Sequence, residues 1–166
     1  MGCVVTEPID FPTEANQPPA IVTTPGAVTP PMDQILRIDL DDFSEADAGT
    51  PEIDFQVTVM DSNVSQTLAY NTYINYYLER PGAGLRGGNS LPGSGNLTRQ
   101  ANFRVPLSEL VPAGRCYKLE FLVSSSFTTA FPFREPSEDG DVASAVWFIE
   151  VTGGEFLTID PDYKCP

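Results

Sequence analysis

Residues 116–123 read Cys-Tyr-Lys-Leu-Glu-Phe-Leu-Val, and the alternation is the firmest constraint the chain offers. Tyr117, Leu119, Phe121 and Val123 fall on one side, and Cys116, Lys118 and Glu120 on the other. A period of two is the pattern of a strand with one face in a core. The residues just before it, Pro112, Ala113 and Gly114, form a turn that feeds the strand.

The same period recurs along the chain. Leu36, Ile38 and Leu40 share a face within 33–42, and Ile53, Phe55, Val57 and Val59 within 52–60. A longer run over 66–79 puts Leu68, Tyr70, Thr72, Ile74, Tyr76 and Leu78 on one side, with Asn71, Tyr73, Asn75 and Tyr77 on the other. Residues 97–107 align Ala101, Phe103, Val105 and Leu107. Residues 142–151 carry apolar side chains on both faces, as a central strand does, with Trp147 in the core. Short strands are expected at 20–24, on an edge that tolerates the surrounding prolines, and at 156–159. Residues 61–63 and 153–154 are turns. Evenly spaced short strands predict an all-β antiparallel β-sandwich of about seven to nine strands.

The segment around Leu110, Pro112, Gly114 and Tyr117 resembles the corner of immunoglobulin-like and fibronectin type III sandwiches. There a Tyr at the start of an inner strand bonds back to nearby backbone. Tyr117 falls one residue later than the fibronectin spacing, and Cys116 precedes the Tyr instead of following it by two. The resemblance spans about a dozen residues and implies the sandwich class.

The first residues suggest export. Gly2-Cys3 resembles the end of a bacterial lipobox, in which the Cys carries the lipid. The same stretch, Met1 to Thr6, also fits an N-myristoylation pattern with Cys3 as a palmitoylation site, but the residues that follow lack a basic patch to assist a single acyl chain. Prolines recur from Pro8 to Pro31, and such a segment favours extended polyproline II over a packed core. Residues 1–31 therefore read as lipid-attachment site and tether, and 32–166 as the sandwich. No apolar run reaches the length of a membrane span, so membrane contact is expected through the lipid alone.

Formal net charge is -14, and the chain has no His. That balance argues against a nucleic-acid partner and against docking on anionic lipid. Without His, the usual triad base and the commonest zinc ligand are missing. If Cys3 is lipidated, Cys116 and Cys165 are the natural disulfide pair in an exported protein; two free thiols in a reducing compartment are the alternative. The acidic groups Asp39, Asp41, Asp42, Glu45, Asp47 and Glu135, Glu138, Asp139, Asp141 match no EF-hand loop, and solvated acidic loops account for them. Gly82, Gly84 and Gly87 fit a dinucleotide fingerprint in spacing, but more Gly, Asn and Pro follow where a helix must start. No cofactor and no resident metal are implied. Asn63 and Asn96 head formal glycosylation sequons.

The contact candidates are aromatic. Tyr73 and Tyr77, beside Asn71 and Asn75, suit a sugar or a protein partner, or pack beneath a loop. Residues 81–96 read as a Gly-rich loop with Arg86 its only charge. Phe127, Phe131 and Phe133 make residues 124–141 too apolar for a solvated loop, so they either cap the sandwich or form a contact patch. The expectation is a non-enzymatic envelope lipoprotein with a protein partner, as a structural or binding module or a subunit of a larger assembly. A carbohydrate-binding module and, behind it, a hydrolase using paired carboxylates are the other classes.

Overall fold

The computed structural model describes residues 16–43, 51–74, 85–110, 115–131, 133–153 and 165. Among them run nine strands: β1 (Ala20–Ile21), β2 (Val28–Thr29), β3 (Leu36–Asp39), β4 (Glu52–Met60), β5 (Leu68–Ile74), β6 (Leu85–Leu91), β7 (Thr98–Pro106), β8 (Arg115–Ser124) and β9 (Ala143–Thr152). Single 3₁₀ turns follow β3 and β7.

The strands form two sheets. In one, β4 pairs with β7 on one edge and with β1 and β2, end to end, on the other. The second has the order β3-β9-β8-β5-β6. The chain passes from β4 across to β5 and β6, back to β7, and across again to β8 and β9. That cross-sheet order is the arrangement of an immunoglobulin-like sandwich.

The alternating run places its apolar face in the core as read, but its other face is covered as well, with Cys116, Glu120 and Leu122 also buried. Tyr117, Leu119, Phe121 and Val123 are buried. β4 occupies 52–60, with Phe55, Val57 and Val59 buried. β9 lies between β3 and β8, so its second apolar face belongs to an interior strand. The core is aromatic at its centre. Phe55 stacks on Phe103 at 5.1 Å and meets Trp147 edge-on at 5.0 Å, while Phe121 lies 5.7 Å from Phe103 and 5.2 Å from Tyr70. Such pairs add about 0.5–1.5 kcal/mol each beyond area burial.

Three expectations need correction. Residues 20–31 belong to the body and not to a tether: β1 and β2 extend the sheet of β4, Val28 is buried, and the Trp147 indole N–H donates to the Pro30 carbonyl at 2.7 Å. An edge strand bonds on one side only, so it accommodates the prolines around it. Residues 85–91 form an edge strand inside the expected Gly-rich loop. Gly88 packs so closely on β5 that a Cβ there would lie 1.9 Å from Asn71 Oδ1 and 2.6 Å from the Tyr70 carbonyl oxygen. β3 is shorter than expected and runs parallel to β9, from Leu36 opposite Ile149 to Asp39 opposite Thr152; the other pairings between strands are antiparallel. After Asp39 the backbone turns, with the Asp39 carboxylate accepting from the Asp41 N–H at 3.1 Å. The capping carboxylate ends the strand. The strand expected at 156–159 and the corner residues Pro112 and Gly114 lie outside the described residues.

The two ends of the sandwich differ. Ala69 pairs with Ser124, so the turn before β5 and the connection after β8 share one end. Asn16 sits there too: its side chain accepts from Asn63 Nδ2 at 2.8 Å and donates to Glu138 at 3.2 Å. At the other end of β8, about 30 Å away for ten residues, Cys116 is bonded to Cys165.

Candidate functional site: the loop between β8 and β9

Residues 125–142 fold back over the outer face of the second sheet. The neck of this loop is closed by Asp141. Its buried carboxylate accepts from the Ser124 hydroxyl at 3.1 Å, from the Ser125 N–H at 3.0 Å and from the Ser125 hydroxyl. Above the neck the two limbs pair as a hairpin. Ser137 N–H donates to the Ser126 carbonyl at 2.9 Å, Thr128 N–H donates to the Glu135 carbonyl at 2.8 Å, and Phe127 bridges to Pro136.

The tip carries the most unusual backbone. Phe133 has φ 58°, a left-handed conformation in a bulky residue. Such a residue costs about 1–3 kcal/mol and persists only where its surroundings impose it. Here they do. The Phe133 N–H donates to the Ala130 carbonyl at 2.8 Å. Its own carbonyl accepts from the Tyr73 hydroxyl at 2.8 Å and from Asn71 Nδ2 at 2.9 Å. Arg134 lies over the Tyr73 ring, 5.1 Å from its centroid, and pairs with Glu120 at 2.8 Å; Lys118 meets the same carboxylate at 2.5 Å.

The outcome is an aromatic pair held out of the fold. Phe131 is 63 % exposed and Phe133 38 % exposed, with ring centroids 5.8 Å apart at 88°. The expected capping role fails for these two residues, because the hydrogen bonds to the Phe133 carbonyl hold the loop by its backbone and leave the rings outside. Phe127, lower in the hairpin, is half-buried.

Three other candidates, Tyr73, Arg86 and Cys116, make contacts within the chain. Tyr73 has no exposed surface and packs beneath the loop, the blander of its two readings. Tyr77 and Cys3 lie outside the described residues. Arg86 is engaged within the chain: its guanidinium pairs with Glu109 and donates to the Arg104 carbonyl at 2.9 Å. It thereby ties the edge strand β6 to the facing sheet. Cys116 and Cys165 are joined, with Cα atoms 5.2 Å apart. Among the described residues, no three acidic or sulfur side chains converge on a common point. A groove of about 630 Å³ on the outer face of the first sheet is lined by Asp54, Gln56, Asn102 and Arg104, and its two charges already pair at 2.8 Å.

One polar feature escaped the sequence reading. Arg99 and Asp61 form a buried ion pair at 2.6 Å. The signal was present in the register, since Arg99 stands at the inward parity of Ala101, Phe103 and Val105.

Two expected results follow from this geometry. Removing both donors to the Phe133 carbonyl, by Tyr73→Phe with Asn71→Ala, should lower unfolding free energy by about 2 kcal/mol, at about 1 kcal/mol per hydrogen bond. It should also speed protease cleavage within 125–140; an unchanged cleavage rate would show that the loop is held by other contacts. The second concerns acid. Burial alone pushes the Glu120 carboxyl up, but hydrogen bonds and charge from Arg134 and Lys118 outweigh it and hold the group below its ordinary value. A lowered folded pKa gives stability that is complete above the unfolded value of about 4.3 and is lost as pH falls through the folded one. Glu120→Gln should therefore flatten the acid limb of a urea-midpoint profile below about pH 4.3, and an identical limb would exclude Glu120 as a contributor.

No family model matches the chain, and no curated protein matches it. Among solved structures, the chain is similar to the CARDB domain of a Pyrococcus furiosus protein, solved in complex with di-metal ions. The two share 10 % identity with a TM-score of 0.41, over 81 % of this chain and 92 % of that one. The strand order by itself defines the sandwich.

Proposed function

We propose that this chain is a non-enzymatic, lipid-anchored module of a bacterial cell envelope that engages a protein partner, as a free-standing binding module or as a subunit of a larger assembly. The observation that carries the reading is the Phe131–Phe133 pair, held outward on a strained backbone by Tyr73 and Asn71. A large apolar anchor fixed in its bound geometry loses little entropy on association, and aromatic side chains of this kind dominate interface energetics. The burial of Tyr73 and the perpendicular setting of the two rings disfavour the glycan reading, since neither provides a flat stacking platform. The anchor is Cys3. Three cysteines occur in the chain and two are bonded to each other, which leaves Cys3 without a cysteine partner inside the molecule.

Intact mass of the protein made from its full native gene tests the anchor, with a diacylglyceryl-type increment on Cys3 as the expected result. A myristoyl increment with free thiols would overturn the envelope assignment. Co-purification from source membranes tests the partner. A fixed protein companion lost on Phe131→Ser with Phe133→Ser is expected, and a lone monomer would refute it.

A further inference from the structure

The surroundings of the two rings specify what they dock on, given the reading of this loop as a protein-contact element. Phe131 and Phe133 share the loop with Glu135, Glu138 and Asp139, all exposed. The single basic residue between 125 and 142, Arg134, is turned inward onto Tyr73 and Glu120. The loop thus presents an exposed apolar tip on an acidic stem, with Glu135 next to the tip and Glu138 and Asp139 toward the neck. The whole chain, at -14, deepens that field.

We infer that the partner surface is a protein groove with an apolar floor and a rim of Lys and Arg. The physical argument is one of complementarity. Charge across an interface steers encounter and penalises like-charged surfaces, and a rim charge acts on association in a salt-dependent way. An anionic bilayer is disfavoured by the same acidic loop, as is a second copy of this chain, since both would bring negative charge against Glu135, Glu138 and Asp139. The geometry of the rings fits a pocket better than a plane: set edge to face at 88°, they form a wedge and not a slab.

The cradle beneath the wedge is part of the same device. Asn71 reaches the Phe133 carbonyl across a space that Gly88 leaves open. The missing side chain on β6 is what allows the amide to stand under the loop.

The test is photochemical and uses the full chain, expressed from its native gene in its own envelope. Phe131 is replaced by p-benzoylphenylalanine, an aromatic side chain at a site exposed enough to tolerate it. Gln100, exposed on the opposite sheet, carries the same group as a control. The expected product is a protein adduct whose cross-linked segment is apolar and flanked by Lys or Arg. Its yield should fall roughly tenfold between about 0.05 and 0.5 M NaCl, as screening shortens the Debye length several-fold. A protein adduct on an acidic or neutral segment, with no salt dependence, overturns the charge inference while leaving the binding reading intact. A phospholipid adduct replaces the protein groove with a bilayer and overturns both. A yield no higher than that of the Gln100 control also overturns both.

Discussion

Arg99→Met should lower the unfolding free energy by about 3–5 kcal/mol, the range for removing one partner of a buried pair. A whole domain is stable by only about 5–15 kcal/mol. Arg99 reaches inward from β7, with its side chain 5 % exposed and that of Asp61 fully buried. Its guanidinium bonds Asp61 at 2.6 Å and the carbonyls of Gln66, Leu91 and Asn63 at 2.5, 3.1 and 3.2 Å. One side chain thus holds the turn before β5 against the end of β6. With methionine in its place, the Asp61 charge stays buried without its counter-ion and three carbonyls lose a donor. Asp61→Leu combined with Arg99→Met should recover part of the loss, because the charge that was stranded is also gone. Urea denaturation of the two variants decides the matter. A single-variant loss under about 1 kcal/mol, or a double variant no better than the single, would mean that the pair does not hold these turns.

The second large effect belongs to the Cys116–Cys165 bond. It joins residues 49 apart in sequence. On the chain-entropy model, opening a loop of that length costs about 4 kcal/mol through the gain in unfolded-state freedom. Cys116→Ser with Cys165→Ser should show that loss in urea without added reductant, and dithiothreitol should reproduce it in the natural chain. If the double variant unfolds at the same urea concentration as the oxidised protein, the bond adds nothing to the fold.

How much of this was legible depends on where the information resides. β4, β8 and β9 could be read directly, because each sends an alternating apolar face into the core and the pattern is local; that β8 is covered on its other face too depends on the loop folded over it. β6 was invisible for the opposite reason. Its centre, Gly87, Gly88, Asn89 and Ser90, buries no side chain, and what makes it a strand is backbone pairing with β5 and the room Gly88 leaves for Asn71. The parallel pairing of β3 on β9 is set by residues more than a hundred positions apart, and nothing local distinguishes it from an antiparallel edge. At the site, Phe127, Phe131 and Phe133 stood out as too apolar for their loop. Which of them faces outward was decided by a hydroxyl on β5 and one positive φ, neither of which leaves a trace in composition. Tyr73 and Arg86 stood out for the same chemistry that makes contact residues. A phenol and a guanidinium satisfy a carbonyl or carboxylate of their own chain as readily as they meet a partner, and here they do the former.

The position of the Cys116–Cys165 bond has a consequence for how the chain withstands proteolysis. The residues it encloses include β8, the aromatic loop and β9. A peptide bond cut anywhere in that exposed loop leaves β9 tied to β8 through sulfur as well as through the sheet. Cleavage there yields a nicked molecule that runs intact on a gel until reductant is added. The tip most open to an enzyme is therefore also the tip whose loss of continuity sheds nothing.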